Sequence, residues 1–138
     1  MIYLIGSLRT PAVPLLGRKL REEGFDVFDD WHGAGPHADD EWQKYETLRG
    51  RSYQDALGGA AAKNTFHFDL RHLSICDTGI LVAPAGKSAH LELGFMLGKG
   101  KKGYVLFDKE PDRWDVMYLF ATGVFFTLDA LLEELRHE

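Results

Sequence analysis

Four residues have types and surroundings that could do chemistry. Glu92 lies in Leu91-Glu92-Leu93-Gly94-Phe95-Met96-Leu97, where every neighbour is apolar. A carboxylate in such company is costly to bury without partners. Either Glu92 occupies a single solvent-facing stripe, or it is held there for use. Gly94 and Gly98 beside it leave room for close packing or for a ligand. Ser88 precedes Glu92 by four residues, so on a helix the two share a face. One turn from a helix N-terminus, the macrodipole favours the ionised form, which suits a nucleophile. Asp69 is a second acid in apolar company, among Phe66, Phe68, Leu70 and Leu73. Its plain reading is a surface acid on an amphipathic helix. Asp77 falls just before an apolar run and reads either as a helix-end residue or as part of the same site. Tyr3 lies inside the apolar opening of the chain, where the alternative to a site role is core packing.

Gly86-Lys87-Ser88 follows one apolar run and precedes another, in the manner of a phosphate-binding P-loop. The first glycine of that motif would fall at position 81, which is Leu81. The plain reading is a turn into a helix with Ser88 as its cap. The intermediate reading is that free N–H groups at this helix start hold an anion. A true P-loop would make nucleotide binding depend on magnesium and on Lys87. The six histidines show no ligand spacing: His32 and His37, and His67 and His72, are five apart. His90 reads as a helix-surface residue. Cys76 is the one cysteine and has no basic partner in sequence, so it is a poor candidate for a catalytic thiol. Neither a metal site nor a cofactor is expected.

The composition bounds the partners. A chain of 138 residues with 45% hydrophobic and 27% charged residues is expected to form one globular domain over 1–138. The net charge of −5 and a longest basic stretch of only Lys99 to Lys102 argue against a nucleic-acid partner. No apolar run approaches the roughly 20 residues of a membrane span, so no membrane partner is expected. The opening Met1 to Gly6 is too short and lacks the basic flank of a signal peptide. A lone cysteine fits a reducing compartment, and a cytoplasmic location is expected.

The elements that must position these residues follow from pattern. Short apolar runs at Ile2–Ile5, Phe25–Asp29, Gly79–Ala83, Tyr104–Phe107 and Val124–Thr127 read as strands. Helices are expected from Leu15 to a stop at Gly24, from Asp39 to about Ala60, from Ala61 to Cys76, over Ser88–Leu97, and over Leu128–Arg136 with Thr127 as N-cap. The polar, aromatic stretch of about residues 31–64 reads as an inserted helical segment. Strands that are apolar on both faces and alternate with helices imply an α/β fold: a flavodoxin-like, doubly wound, five-stranded parallel sheet in the order 2-1-3-4-5. The crevice of such a sheet lies at the strands' carboxyl ends, beside the first and third strands. Gly6-Ser7-Leu8-Arg9, Asp29-Asp30-Trp31 and Pro84 to Ser88 are expected around it.

Three blocks in order carry a family resemblance: Tyr3-Leu4-Ile5-Gly6-Ser7-Leu8-Arg9, Asp69-Leu70-Arg71-His72-Leu73 through Asp77, and Leu91-Glu92-Leu93-Gly94. Together they resemble the nucleoside 2-deoxyribosyltransferase superfamily, which includes 2′-deoxynucleoside 5′-monophosphate N-glycosidases. The resemblance implies that Glu92 attacks the anomeric carbon to form a glycosyl-enzyme, that Tyr3 positions that carboxylate, and that Asp69 contacts the sugar and assists departure of the base. It implies substrate contacts from Gly6, Ser7, Arg9, Asp29, Trp31, Asp77, Gly86, Ser88 and Met117, with Gly6, Ser7, Arg9 and Ser88 around a 5′-phosphate. It implies a small nucleoside or nucleotide as partner, and a homo-oligomer, because the stretch around Asp115 to Tyr118 would reach a neighbouring subunit's site. The segment 30–64 is longer than in the small hydrolases of this group, so Trp31, Trp42 or Tyr45 would stack on the base, form a lid, or simply pack the extra helices. Two other readings stay open: a nucleotide-sensing module on the same fold, and an NAD-cleaving enzyme of the TIR-like kind.

Overall fold

A computed structural model describes residues 1–138. Its five strands are β1 (Ile2–Ile5), β2 (Val27–Phe28), β3 (Thr78–Val82), β4 (Lys102–Leu106) and β5 (Gly123–Phe125). They form one sheet in the order β2-β1-β3-β4-β5, with every pair parallel. This is the flavodoxin-like α/β architecture that the alternation of elements predicts. The six helices are α1 (Ala12–Glu22), α2 (Ala38–Leu48), α3 (Tyr53–Leu57), α4 (Ala60–Ile75), α5 (Lys87–Gly98) and α6 (Leu128–Arg136).

Alternation along each strand divides the core into two layers. Ile2 and Leu4 of β1, with Ile80, Val82 and Tyr104, pack against Val13, Leu16 and Leu20 of α1 and Leu131, Leu132 and Leu135 of α6. Tyr3 and Ile5, with Leu81 and Val105, pack against Leu73 of α4 and Ala89, Leu93 and Met96 of α5. Two glycines let α5 come down onto the sheet. A Cβ at Gly79 would lie 2.7 Å from the Met96 sulfur, and one at Gly103 2.7 Å from Leu93 Cδ1. The seat of α5, and so the height of Glu92 over the sheet, is set by these bare backbone positions.

Several boundaries differ from the pattern for local reasons. The second strand keeps only Val27–Phe28 in the ladder. Phe25 N–H is taken by the Leu20 carbonyl, and Asp29 turns to Arg21. The long helix expected from Asp39 to Ala60 is interrupted at Gly50, whose φ of +74° ends α2. Ser52 then caps α3 by accepting from Asp55 N–H at 3.2 Å. Helix α5 begins one residue early, with Gly86 as its N-cap, and Ser88 caps nothing. Thr127 caps α6 as expected, accepting from Ala130 N–H at 3.2 Å. Short 3-10 turns at Asp30–Ala34 and Val116–Phe120 carry no periodic signal long enough to read. No helix is long and apolar enough to cross a membrane.

Candidate active site

Tyr3, Asp69 and Glu92 come together on the α4/α5 face of the sheet. Tyr3 occupies the middle of β1, opposite Phe28 on one side and Gly79 on the other, and is 1% exposed. Asp69 is in the third turn of α4 and Glu92 in the second turn of α5; both are half-buried. The three groups sense one another. Burial pushes the Tyr3 hydroxyl well above its usual range, and the charges of Glu92 and Asp69 push it further. Burial raises Glu92 to about 7; the Tyr3 hydroxyl, as a hydrogen-bond donor, pulls it back, and the Asp69 charge adds to the rise. Burial raises Asp69 to about 6, opposed by a nearby positive charge on His72. Glu92 Oε2 is buried with no hydrogen-bond partner. Desolvation therefore outweighs the helix dipole that alone would keep Glu92 ionised.

An aromatic wall flanks the acids. The Phe28 ring lies 5.3 Å from Tyr3, and the His72 imidazole stacks on it at 3.8 Å with an interplanar angle of 5°. Phe68 packs against both Phe28 and His72. His72 Nδ1 donates to the Phe68 carbonyl at 2.8 Å, which fixes the ring one turn beyond Asp69. Metal-ligand spacing did not single out His72. The signal was its i, i+4 relation to Phe68 on the helix that carries Asp69.

The other expected contacts divide into groups. Gly6, Ser7 and Arg9 form the loop that leaves β1, and a Cβ at Gly6 would crowd Val13 at 2.9 Å. Ser7 Oγ accepts from Arg9 N–H at 3.1 Å, folding this loop on itself. Arg9 turns to Asp40 of α2, with Nη2 donating to Oδ2 at 2.9 Å. Gly86 opens α5 with clear space where a side chain would be, and Ser88 is exposed. Trp31 packs against both core layers and donates its indole N–H to the Leu4 carbonyl at 2.7 Å, an anchoring contact. Trp42 packs edge-on to Tyr53 between α2 and α3, and Tyr45 is half exposed beneath Arg49.

Three residues are not brought to the cluster: Asp29, Asp77 and Met117. Asp29 is held by Arg21 at 2.7 Å and faces Gly17, which puts it on the α1 side of the sheet. Alternation explains this: Phe28 faces the acids, so Asp29 faces away. Asp77 lies at the amino ends of β1 and β3, where the N-terminal ammonium holds it at 3.2 Å, far from the strands' carboxyl ends.

Met117 lines a cavity of about 510 Å³ between α5 and the 116–120 turn, together with His90, Gly94, Asp115, Tyr118 and Phe120. His90 Nδ1 donates to the Gly86 carbonyl at 2.8 Å, which leaves Nε2 to accept from the Tyr118 hydroxyl at 2.9 Å. Residues 90, 94, 97 and 98 share one side of α5, and Glu92 lies on the other. Cys76 is fully buried and burial pushes its thiol up, which suits a packing role. No group of three or more histidine, cysteine, aspartate or glutamate side chains is placed to hold a metal ion.

No protein-family model matches the sequence, and no curated protein matches it. A solved structure, the Clostridium botulinum CMP N-glycosidase BcmB, matches over 99% of this chain and 99% of its own, with a TM-score of 0.56 and 15% sequence identity. At that identity the likeness shows a shared fold from end to end.

Proposed function

We propose that the protein cleaves or exchanges the N-glycosidic bond of a nucleoside 5′-monophosphate or nucleoside. Glu92 is the nucleophile, Tyr3 positions it, and Asp69 is the acid that assists the leaving base. One observation carries this reading: Glu92 has a buried, unpartnered carboxylate oxygen beside a tyrosine hydroxyl and a second raised acid. Breaking an N-glycosidic bond builds positive charge on the sugar ring, and an ionised carboxylate with one oxygen free of hydrogen bonds can stabilise it. Attack by that carboxylate gives a glycosyl-enzyme, and water or an acceptor base then releases the sugar. The resemblance to the nucleoside 2-deoxyribosyltransferase superfamily and the fold shared with a CMP N-glycosidase support the same chemistry.

Between about pH 6 and 7 the two carboxyl groups share one proton. The higher Glu92 value puts that proton mostly on Glu92, so the productive form, with Glu92 ionised and Asp69 protonated, is the minor arrangement of the pair. Gly6, Ser7 and Arg9, with the open start of α5 at Gly86 and Ser88, are our candidates for the 5′-phosphate, because a guanidinium recognises phosphate by paired hydrogen bonds. Met117 lies beyond the far side of α5 from Glu92, so we assign it to a neighbouring subunit's site in a homo-oligomer.

The test is base release. The protein is incubated with nucleosides, 2′-deoxynucleosides, their 5′-monophosphates and NAD, each with and without a free acceptor base. Products are separated by chromatography. Free base without an acceptor identifies a hydrolase, base exchange identifies a transferase, and nicotinamide from NAD would replace the reading. Ligand binding with no product from any substrate would favour a sensor and overturn it.

A further inference from the structure

Arg9, the phosphate candidate, already has partners. Its Nη2 donates to Asp40 Oδ2 at 2.9 Å and its Nε to the Pro36 carbonyl at 3.4 Å. Two more contacts tie the same segments: Trp31 Nε1 to the Leu4 carbonyl at 2.7 Å, and His32 Nε2 at 3.2 Å from the Thr10 carbonyl. Residues 31–40, which lead into α2 and form its first turn, are thus stitched to the loop that leaves β1. Of the four contacts only Arg9 with Asp40 joins two charges. That pair is also open to solvent, with side chains 66% and 60% exposed. Exposed ion pairs are weak and exchange readily. A phosphate carries more charge than a carboxylate and matches the guanidinium fork equally well.

We propose that Asp40 is a positioning residue that sets the preference between phosphorylated and unphosphorylated substrates. It holds the Arg9 guanidinium until a 5′-phosphate displaces it, and the exchange frees the first turn of α2. This rests on the reading of the chain as a nucleotide N-glycosidase. A neutral nucleoside has nothing to offer Arg9 and leaves the pair intact. The cost of displacing Asp40, and the repulsion between its carboxylate and the phosphate, therefore fall on the phosphorylated substrate alone. Screening by salt weakens both the pair and its competitor, so the effect is largest at low ionic strength.

The experiment measures binding of CMP, cytidine and inorganic phosphate to the full chain carrying Glu92→Gln, so that turnover does not intervene. Asp40→Asn, Asp40→Glu and Arg9→Ala are compared in that background at low salt. Asp40→Asn is expected to tighten CMP and inorganic phosphate about two- to fivefold, the scale of an exposed ion pair, with cytidine unchanged. Asp40→Glu restores the parent values. Arg9→Ala weakens CMP and erases the effect of Asp40→Asn. Amide exchange in the first turn of α2 quickens when CMP binds the parent and is already fast in Asp40→Asn. Weaker CMP binding in Asp40→Asn, an equal shift for CMP and cytidine, or CMP binding that does not depend on Arg9 overturns the proposal. Base release by the chain with Glu92 intact is a separate readout. Arg9-dependent binding without base release defeats the reaction and not the exchange, whereas base release without any Asp40 effect does the reverse.

Discussion

The two faces of the sheet are built from the same strands and do different things. On the α1/α6 face, Ile2, Leu4, Val13, Leu20 and Leu131 make an aliphatic layer whose one polar tip, the Tyr104 hydroxyl, is donated to Glu138. On the α4/α5 face, Tyr3, Asp69 and Glu92 interrupt the layer, and one carboxylate oxygen is left buried and unpartnered. The first face leaves no buried side-chain polar atom without a partner; the second leaves one. Proteins place such violations preferentially at functional sites, and here it coincides with the residues suited to nucleophilic and acid chemistry.

Substitutions on the two faces should separate activity from stability. After loss of the nucleophile itself, the largest expected effect is from Asp69→Asn, which removes the acid and is expected to lower kcat by about 10²- to 10⁴-fold. The pH profile sharpens this. Activity must rise as Glu92, at about 7, loses its proton and fall as Asp69, at about 6, loses its own. A bell peaking between those values is expected, and Asp69→Asn should remove its basic limb. A basic limb that survives would assign the acid elsewhere. Next is Leu131→Ala on the opposite face, expected to cost about 2–5 kcal/mol of stability by denaturant unfolding while leaving kcat of the folded protein unchanged. A loss of kcat there would dissolve the contrast between the faces.

Glu92→Gln tests the cost of the violation itself. Because the folded-state value of Glu92, about 7, lies above its ordinary 4.5, the folded protein binds the proton more tightly than the unfolded chain. The stability from this group is fully present below the unfolded value and is lost as pH rises through about 7. Glu92→Gln is therefore expected to stabilise the protein at pH 8 by about 1–3 kcal/mol, with little gain at pH 4. Equal Tm changes at both pH values would mean that Glu92 is not strained. The smallest effect is from Tyr3→Phe. Losing the hydroxyl removes the group that lowers the Glu92 value, so the acidic limb of the rate profile should move upward.

Much of the fold was legible because the strands are short apolar runs on both faces, the mark of a covered parallel sheet. The order 2-1-3-4-5 and the cap at Thr127 follow from that pattern and from local chemistry. The trio Tyr3, Asp69 and Glu92 was legible because two acids stood among apolar neighbours and three blocks matched a known order. What was illegible depended on side-chain direction or on distant partners. Asp29 flips away because β2 is only two residues long and Phe28 takes the inward face. Asp77 is captured by the chain's own N-terminus, a partner 76 positions away. Buried Glu46 pairs with Arg49 at 2.9 Å yet also leaves Oε2 without a hydrogen bond, so an unpartnered carboxylate oxygen marks a site only together with neighbours such as Tyr3 and Asp69. His72 was signalled only by its i, i+4 relation to Phe68; its ring stack on Phe28 joins α4 to β2 and was not legible.

The most direct test compares release of free base from CMP and from the nucleoside 5′-monophosphate panel by the native chain and by Glu92→Ala, both confirmed folded, at pH 6.5. The account predicts steady base release by the native chain and a loss of at least about a thousandfold in Glu92→Ala, the scale of removing a covalent nucleophile. Undiminished base release by Glu92→Ala would contradict it.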